Sequence, residues 1–104
     1  MTEILDPEDC STMLEVRAGV DAVDRALAEL IGRRFGYMRA AARIKPARDA
    51  VRDEPRKAQV IANARVNARA NGWPEQAAAD LWEMLVESSI AYEFDRYDEK
   101  PGAA

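Results

Sequence analysis

Met13, Val16, Val20, Val23, Leu27 and Leu30 recur at intervals of three and four, the spacing that puts apolar side chains on one stripe of a helix. The same rhythm continues through Met38, Ala41 and Ile44, and Pro46 then disfavours helical geometry at Lys45. Ser11 or Thr12 is placed to cap the start, with Glu15 three residues after Thr12 completing the pattern of a capping box. A first helix of about 33 residues follows, or ~50 Å at the α-helical rise. Residues 46–53 are a charged connector without periodicity. Asp53 is placed to cap a second helix, with Glu54 and Pro55 in its first turn, running to Asn71-Gly72 with Val60, Ile61, Ala64 and Ala68 inward. Pro74 opens a third helix whose inner stripe is Leu81, Trp82, Leu85, Val86, Ser89 and Ile90, lasting to about Tyr97. The expected fold is all-α, three helices in one domain over 1–104, with the ends at about 1–7 and 99–104 disordered or frayed.

The first helix is too long for its own domain. A compact chain of this size has a radius of gyration of ~13 Å, so the helix either protrudes or is covered by a second copy. The polar residues on the apolar stripes sharpen that choice. After Leu27 and Leu30 the next stripe position is Arg34. Lys45, eleven residues further, is rotated from it by only ~20° and displaced by ~16 Å. On the third helix Ser89 and Glu93 continue the line of Trp82 and Val86, and Arg56 stands one turn before Val60. Any one of these could be an ion pair or a snorkelling side chain. Five polar residues from three helices are more simply read as a pocket for a small anion, because buried unpaired charge costs on the order of several kcal/mol. Arg17 lies 28 residues before Lys45, ~42 Å along the axis. It cannot join that cluster in its own chain, but it can join that of an antiparallel partner. The periodicity therefore predicts a homodimer.

Charge and composition narrow the chemistry. The 104 residues carry 15 basic and 19 acidic side chains, a net −4, yet residues 33–57 hold nine of the basic and three of the acidic ones. That segment is +6 and the remainder −10. A local basic zone on an acidic protein suits small anions better than nucleic acid, which calls for overall positive charge and stacking aromatics. There is no histidine, and Cys10 is the only cysteine, so histidine-based triads, an internal disulfide and cysteine-rich zinc sites are excluded and no metal or cofactor is expected. No run nears the ~18 apolar residues of a membrane span, and the acidic start lacks a signal-peptide pattern. A cytoplasmic protein without a membrane partner is the expectation.

The residues that carry these inferences also resemble a known family. Pro7-Glu8-Asp9-Cys10, Val16-Arg17-Ala18-Gly19-Val20-Asp21-Ala22-Val23-Asp24, Leu30-Ile31-Gly32-Arg33-Arg34 and Ile44-Lys45 resemble the all-helical (AroQ-class) chorismate mutases. The opening Pro-Glu-Asp-Cys and the Gly-Arg-Arg run look closest to the isochorismate pyruvate lyase branch, which makes salicylate. The resemblance covers roughly residues 7–98. It implies an intertwined helical homodimer in which Arg17 of the partner subunit and Arg34 hold substrate carboxylates. It further implies that Lys45 contacts the bridging ether oxygen, that Arg56 opens the second helix at the site, that Asp53 lies near the substrate hydroxyl, and that Ser89 binds a carboxylate.

Two positions depart from the pattern. Glu93 stands where glutamine is common, although some mutases use glutamate, and Lys57 replaces a glutamate that contacts the ring hydroxyl in some mutases. The implied catalytic set is Lys45, Glu93 and Arg34. The implied reaction is the concerted rearrangement of chorismate to prephenate, driven by electrostatic preorganisation. The alternatives are lysis of isochorismate to salicylate and pyruvate, and, more distantly, a non-catalytic helical interaction module. Negative charge grows on the ether oxygen in the transition state, so fixed cations and donors there lower the barrier. Glu93 helps only when protonated, and activity is therefore expected to fall as pH rises.

Overall fold

The computed structural model describes residues 3–102, and every regular element among them is helical. A 3-10 turn, Pro7–Asp9, precedes α1 (Met13–Ile44); a second, Arg48–Ala50, precedes α2 (Glu54–Ala70), and α3 (Glu75–Asp98) follows. The chain divides into two compact units, Met1–Gly36 and Tyr37–Ala104, and α1 begins in the first and ends in the second.

In the first unit the start of α1 is fastened as its sequence predicts. Thr12 Oγ1 accepts the Glu15 amide at 3.2 Å, and Glu15 Oε1 accepts the amides of Ser11 and Thr12 at 2.9 and 3.0 Å. These bonds satisfy donors that a helix N-terminus otherwise leaves open, and they hold the Glu15 carboxyl below its ordinary range. Ile4, Leu5, Pro7 and Cys10 line a groove of about 450 Å³ with Val16, Val20 and Val23. The predicted apolar stripe is present but uncovered within one chain: Val16 is 38% exposed, Leu27 48%, and Met13, Val23 and Leu30 59% each.

The second unit has a small-residue core. Ala64 and Ala68 of α2 meet Ala78 of α3, with Trp82 packed against them, so the two helices approach closely. The turn between them is a Schellman motif. Trp73 N–H donates to Ala68 O at 3.0 Å and Gly72 N–H to Arg69 O at 3.3 Å, with Gly72 at φ 79°, a left-handed conformation that glycine adopts without a Cβ clash. A second cluster joins Ala42 of α1, Val51 of the connector and Tyr97 of α3, flanked by Ile90 and Phe94.

Two apolar positions differ from the sequence reading. Leu81 is 58% exposed rather than inward. The buried residues of α3 are Ala78, Ala79, Val86, Ser89, Glu93 and Tyr97, and Leu81 lies roughly 120° around the helix from their centre. Ile44 is exposed and Ala42 buried in its place, because two residues along a helix turn the side chain through about 200°.

Candidate functional site

Lys45 is the first residue past α1, and its amide still bonds Ala41 O at 2.9 Å, so its backbone completes the last helical turn. Pro46, which cannot extend the ladder, turns the chain away. This end is tied to α3 and to the residues just past it: Tyr97 Oη donates to Pro46 O at 3.4 Å and Lys100 Nζ to Lys45 O at 2.9 Å. From that anchored base the Lys45 side chain reaches inward. Its ammonium donates to Glu93 Oε2 at 2.7 Å and to Val51 O at 3.4 Å.

The pair is unequally buried. The Glu93 side chain is 5% exposed, that of Lys45 28%. Glu93 sits in the line of small and apolar residues by which α3 packs, and the ammonium supplies the opposite charge it needs there. One turn earlier is Ser89, also buried, whose hydroxyl donates to Leu85 O at 2.6 Å. Ser89, Glu93 and Lys45 are thus brought to one place. For Lys45 and Glu93 the bond is the ion pair that the sequence reading weighed against a pocket for a small anion.

The other predicted residues are placed differently. Asp53 and Arg56 are at the start of α2, both exposed. Asp53 Oδ1 accepts the Arg56 amide at 3.0 Å as the helix cap, and the Arg56 guanidinium donates to Gln59 Oε1 at 2.8 Å. Arg17 and Arg34 belong to the first unit, where Arg17 is exposed and Arg34 half-buried on α1.

Val51-Arg52-Asp53 repeats a tripeptide of the family the chain resembles, but the Val51 carbonyl as an acceptor and the pairing of Arg52 with Glu87 were not read from sequence. Arg52 forms a two-pronged bond to Glu87 of α3, Nη2 to Oε1 at 2.8 Å and Nη1 to Oε2 at 3.1 Å, and Nη1 also reaches Glu54 at 2.9 Å. Lys57 donates to Glu87 Oε2 and to Glu83 Oε1, both at 2.8 Å. Between these cations the Glu87 carboxyl is held down to about 2, first by the Arg52 bond and then by that of Lys57. The spacing of Glu83 and Glu87, one helical turn apart, is the sequence signal of such an acidic ladder.

Residues 16–94 match the family model for chorismate mutase type II. The chain belongs to the chorismate mutase type II family. The match takes in all of α2, most of α1 and most of α3, and with them Lys45, Ser89 and Glu93. Along nearly its full length this chorismate mutase-type chain is also similar to an isochorismate pyruvate lyase of Pseudomonas aeruginosa, at 28% identity over 98 residues, covering 94% of this chain and 97% of the other. Among the described residues of this family member, no helix is long and apolar enough to cross a membrane.

Proposed function

We propose that the protein is a chorismate mutase that converts chorismate to prephenate. The observation that carries this reading is the donor count at Lys45. An ammonium has three N–H donors. Two are taken by Glu93 and Val51 O, and with the side chain 28% exposed the third is available to an incoming oxygen. A cation so held, with its counter-charge buried behind it, supports stabilisation of charge on a breaking ether bond without reorganisation during the step.

In the rearrangement the ether carbon–oxygen bond breaks, a carbon–carbon bond forms from the enolpyruvyl methylene to the ring, and the ether oxygen becomes a ketone. No proton or electron pair leaves the substrate. The protein's task is then to select a compact substrate shape and to offset charge. In this reading Arg34 and Arg17 of the partner subunit grip the two carboxylates, the two-pronged geometry of guanidinium suiting them. Arg56, Asp53 and Ser89 bind the remaining polar groups. Glu93 accepts from Lys45 and holds that ammonium at the site. The uncovered stripe on α1 supports a homodimer, since burying each Val or Leu contributes ~1.5–3 kcal/mol. A cytoplasmic location, where Cys10 stays reduced, completes the reading.

A second reading, isochorismate pyruvate lyase, is favoured by the similarity to the enzyme of that name. The same cationic site would promote cleavage of the ether bond, with transfer of a ring hydrogen to the departing enolpyruvyl group giving salicylate and pyruvate. Ser89 and Glu93 fit a mutase, some of which use glutamate at the second position, and this tips the choice. Purified protein offered chorismate and isochorismate separately decides between them. Prephenate from chorismate is the expected product; salicylate and pyruvate from isochorismate alone would establish the second reading, and turnover of neither would overturn both.

A further inference from the structure

We infer that Arg52 and Glu87 are positioning residues, which fix the Val51–Arg52 peptide so that its carbonyl holds the Lys45 ammonium in place. The inference deepens the proposed function, since it concerns the group that would meet the ether oxygen.

The 3-10 turn Arg48–Ala50 orders the first part of the connector and bonds the Val51 amide to Arg48 O at 3.1 Å, but the Val51–Arg52 peptide lies beyond it. The connector's last three residues are instead each anchored by a side chain to a different support. Val51, 4% exposed, is sunk in the cluster with Ala42 and Tyr97. Arg52 is clamped by two bonds to Glu87 of α3. Asp53 caps α2 through the Arg56 amide. The carbonyl that accepts from Lys45 belongs to the peptide between the first two anchors. With both ends of a planar unit fixed, its oxygen has no freedom to swing away.

Glu93 alone would leave Lys45 free to pivot about a single bond. The carbonyl supplies the second fixed point, and two fixed points set the direction of the remaining N–H. Lys57 reinforces the clamp from α2 by sharing Glu87 Oε2. The arrangement also accounts for an arginine at this place: a guanidinium fork engages both carboxylate oxygens and restricts rotation, which a lysine cannot do.

The test compares Arg52→Ala and Arg52→Lys with Arg69→Ala. Arg69 makes an equivalent fork to Glu75, at 3.1 and 3.0 Å, at the other end of α2, and has no part in the site. On whichever substrate the wild type turns over, kcat is expected to fall about tenfold in Arg52→Ala with KM within about twofold, and Arg52→Lys to recover only part of the loss. Arg69→Ala should lower thermal stability by a similar amount and leave kcat within about twofold of wild type. In Glu87→Ala, which opens the clamp from α3 without changing a covalent neighbour of Val51, the carbonyl-carbon resonance of Val51 should move, whereas it should stay put in Arg69→Ala. An unmoved Val51 resonance, or kcat losses that follow stability alike in both alanine variants, would overturn the inference. A wild type that turns over neither substrate sinks the functional reading alone, because the Val51 resonance still decides the clamp.

Discussion

Removing Lys45 and neutralising Glu93 should have unequal consequences, and the inequality follows from burial. In Lys45→Met the aliphatic stem is kept and the ammonium lost, so the Glu93 carboxyl, 4% exposed, is left without its cation. Breaking a buried pair from that side costs ~3–5 kcal/mol. In Glu93→Gln the shape is kept and the charge lost, and the Lys45 side chain, 28% exposed, still reaches water and the Val51 carbonyl. That loss should be close to an ordinary hydrogen bond, ~1 kcal/mol. For a chain of this size each kcal/mol moves Tm by ~4–8 °C, so Lys45→Met should melt at least ~12 °C below wild type and Glu93→Gln about a third as far. Calorimetry and urea unfolding at one protein concentration measure both, the fixed concentration guarding against mass-action effects of an oligomer. A double variant, Lys45→Met with Glu93→Leu, should regain much of the stability, because an apolar pair of similar volume replaces the ion pair at little cost. Equal losses in the two single variants would refute the reasoning, since they would mean that Glu93 is not shielded from solvent.

Acid should weaken the second unit through Glu87. Its carboxyl is held down to about 2 from an ordinary 4.5 by Arg52 and Lys57, so the stability it contributes is present above its unfolded value and is lost as pH falls from about 5 toward 2. Thermal unfolding across that range should decline less steeply in Glu87→Gln than in wild type; parallel curves would show that the network does not couple to folding. On α1, Leu27→Lys puts a charge on the uncovered stripe. If the proposed homodimer forms through this stripe, the variant should be monomeric where wild type is dimeric in analytical ultracentrifugation, and a dimer of undiminished affinity would remove the stripe from the interface.

Much of this architecture was legible because its causes are local. The capping box at Thr12 and Glu15, the Asp53 cap and the Asn71-Gly72 stop act over three or four residues, and each sits where the spacing predicts. Lys45 and Glu93 could be picked out because charge on an apolar stripe needs compensation wherever the chain folds. Leu81 misled because an apolar residue beside the stripe is indistinguishable from one on it until the packing helix is in place. The Arg52–Glu87 clamp was invisible for another reason: 35 residues separate the partners, both lie among other charges, and no periodicity links a connector to a helix face. The Val51 carbonyl could not have been found at all, since every residue has one and only the fold aims it.

The most direct test of a site completed by two subunits is complementation between Arg17→Ala and Lys45→Met. Each should be nearly inactive alone on the substrate that the wild type turns over. Unfolded together in equal amounts and refolded, they form half of the dimers as mixed pairs. Every mixed pair carries one site with Lys45 from one chain and Arg17 from the other, so about a quarter of wild-type activity should return. A mixture no more active than the sum of its parents, with mixed dimers demonstrated by mass spectrometry, would contradict the account.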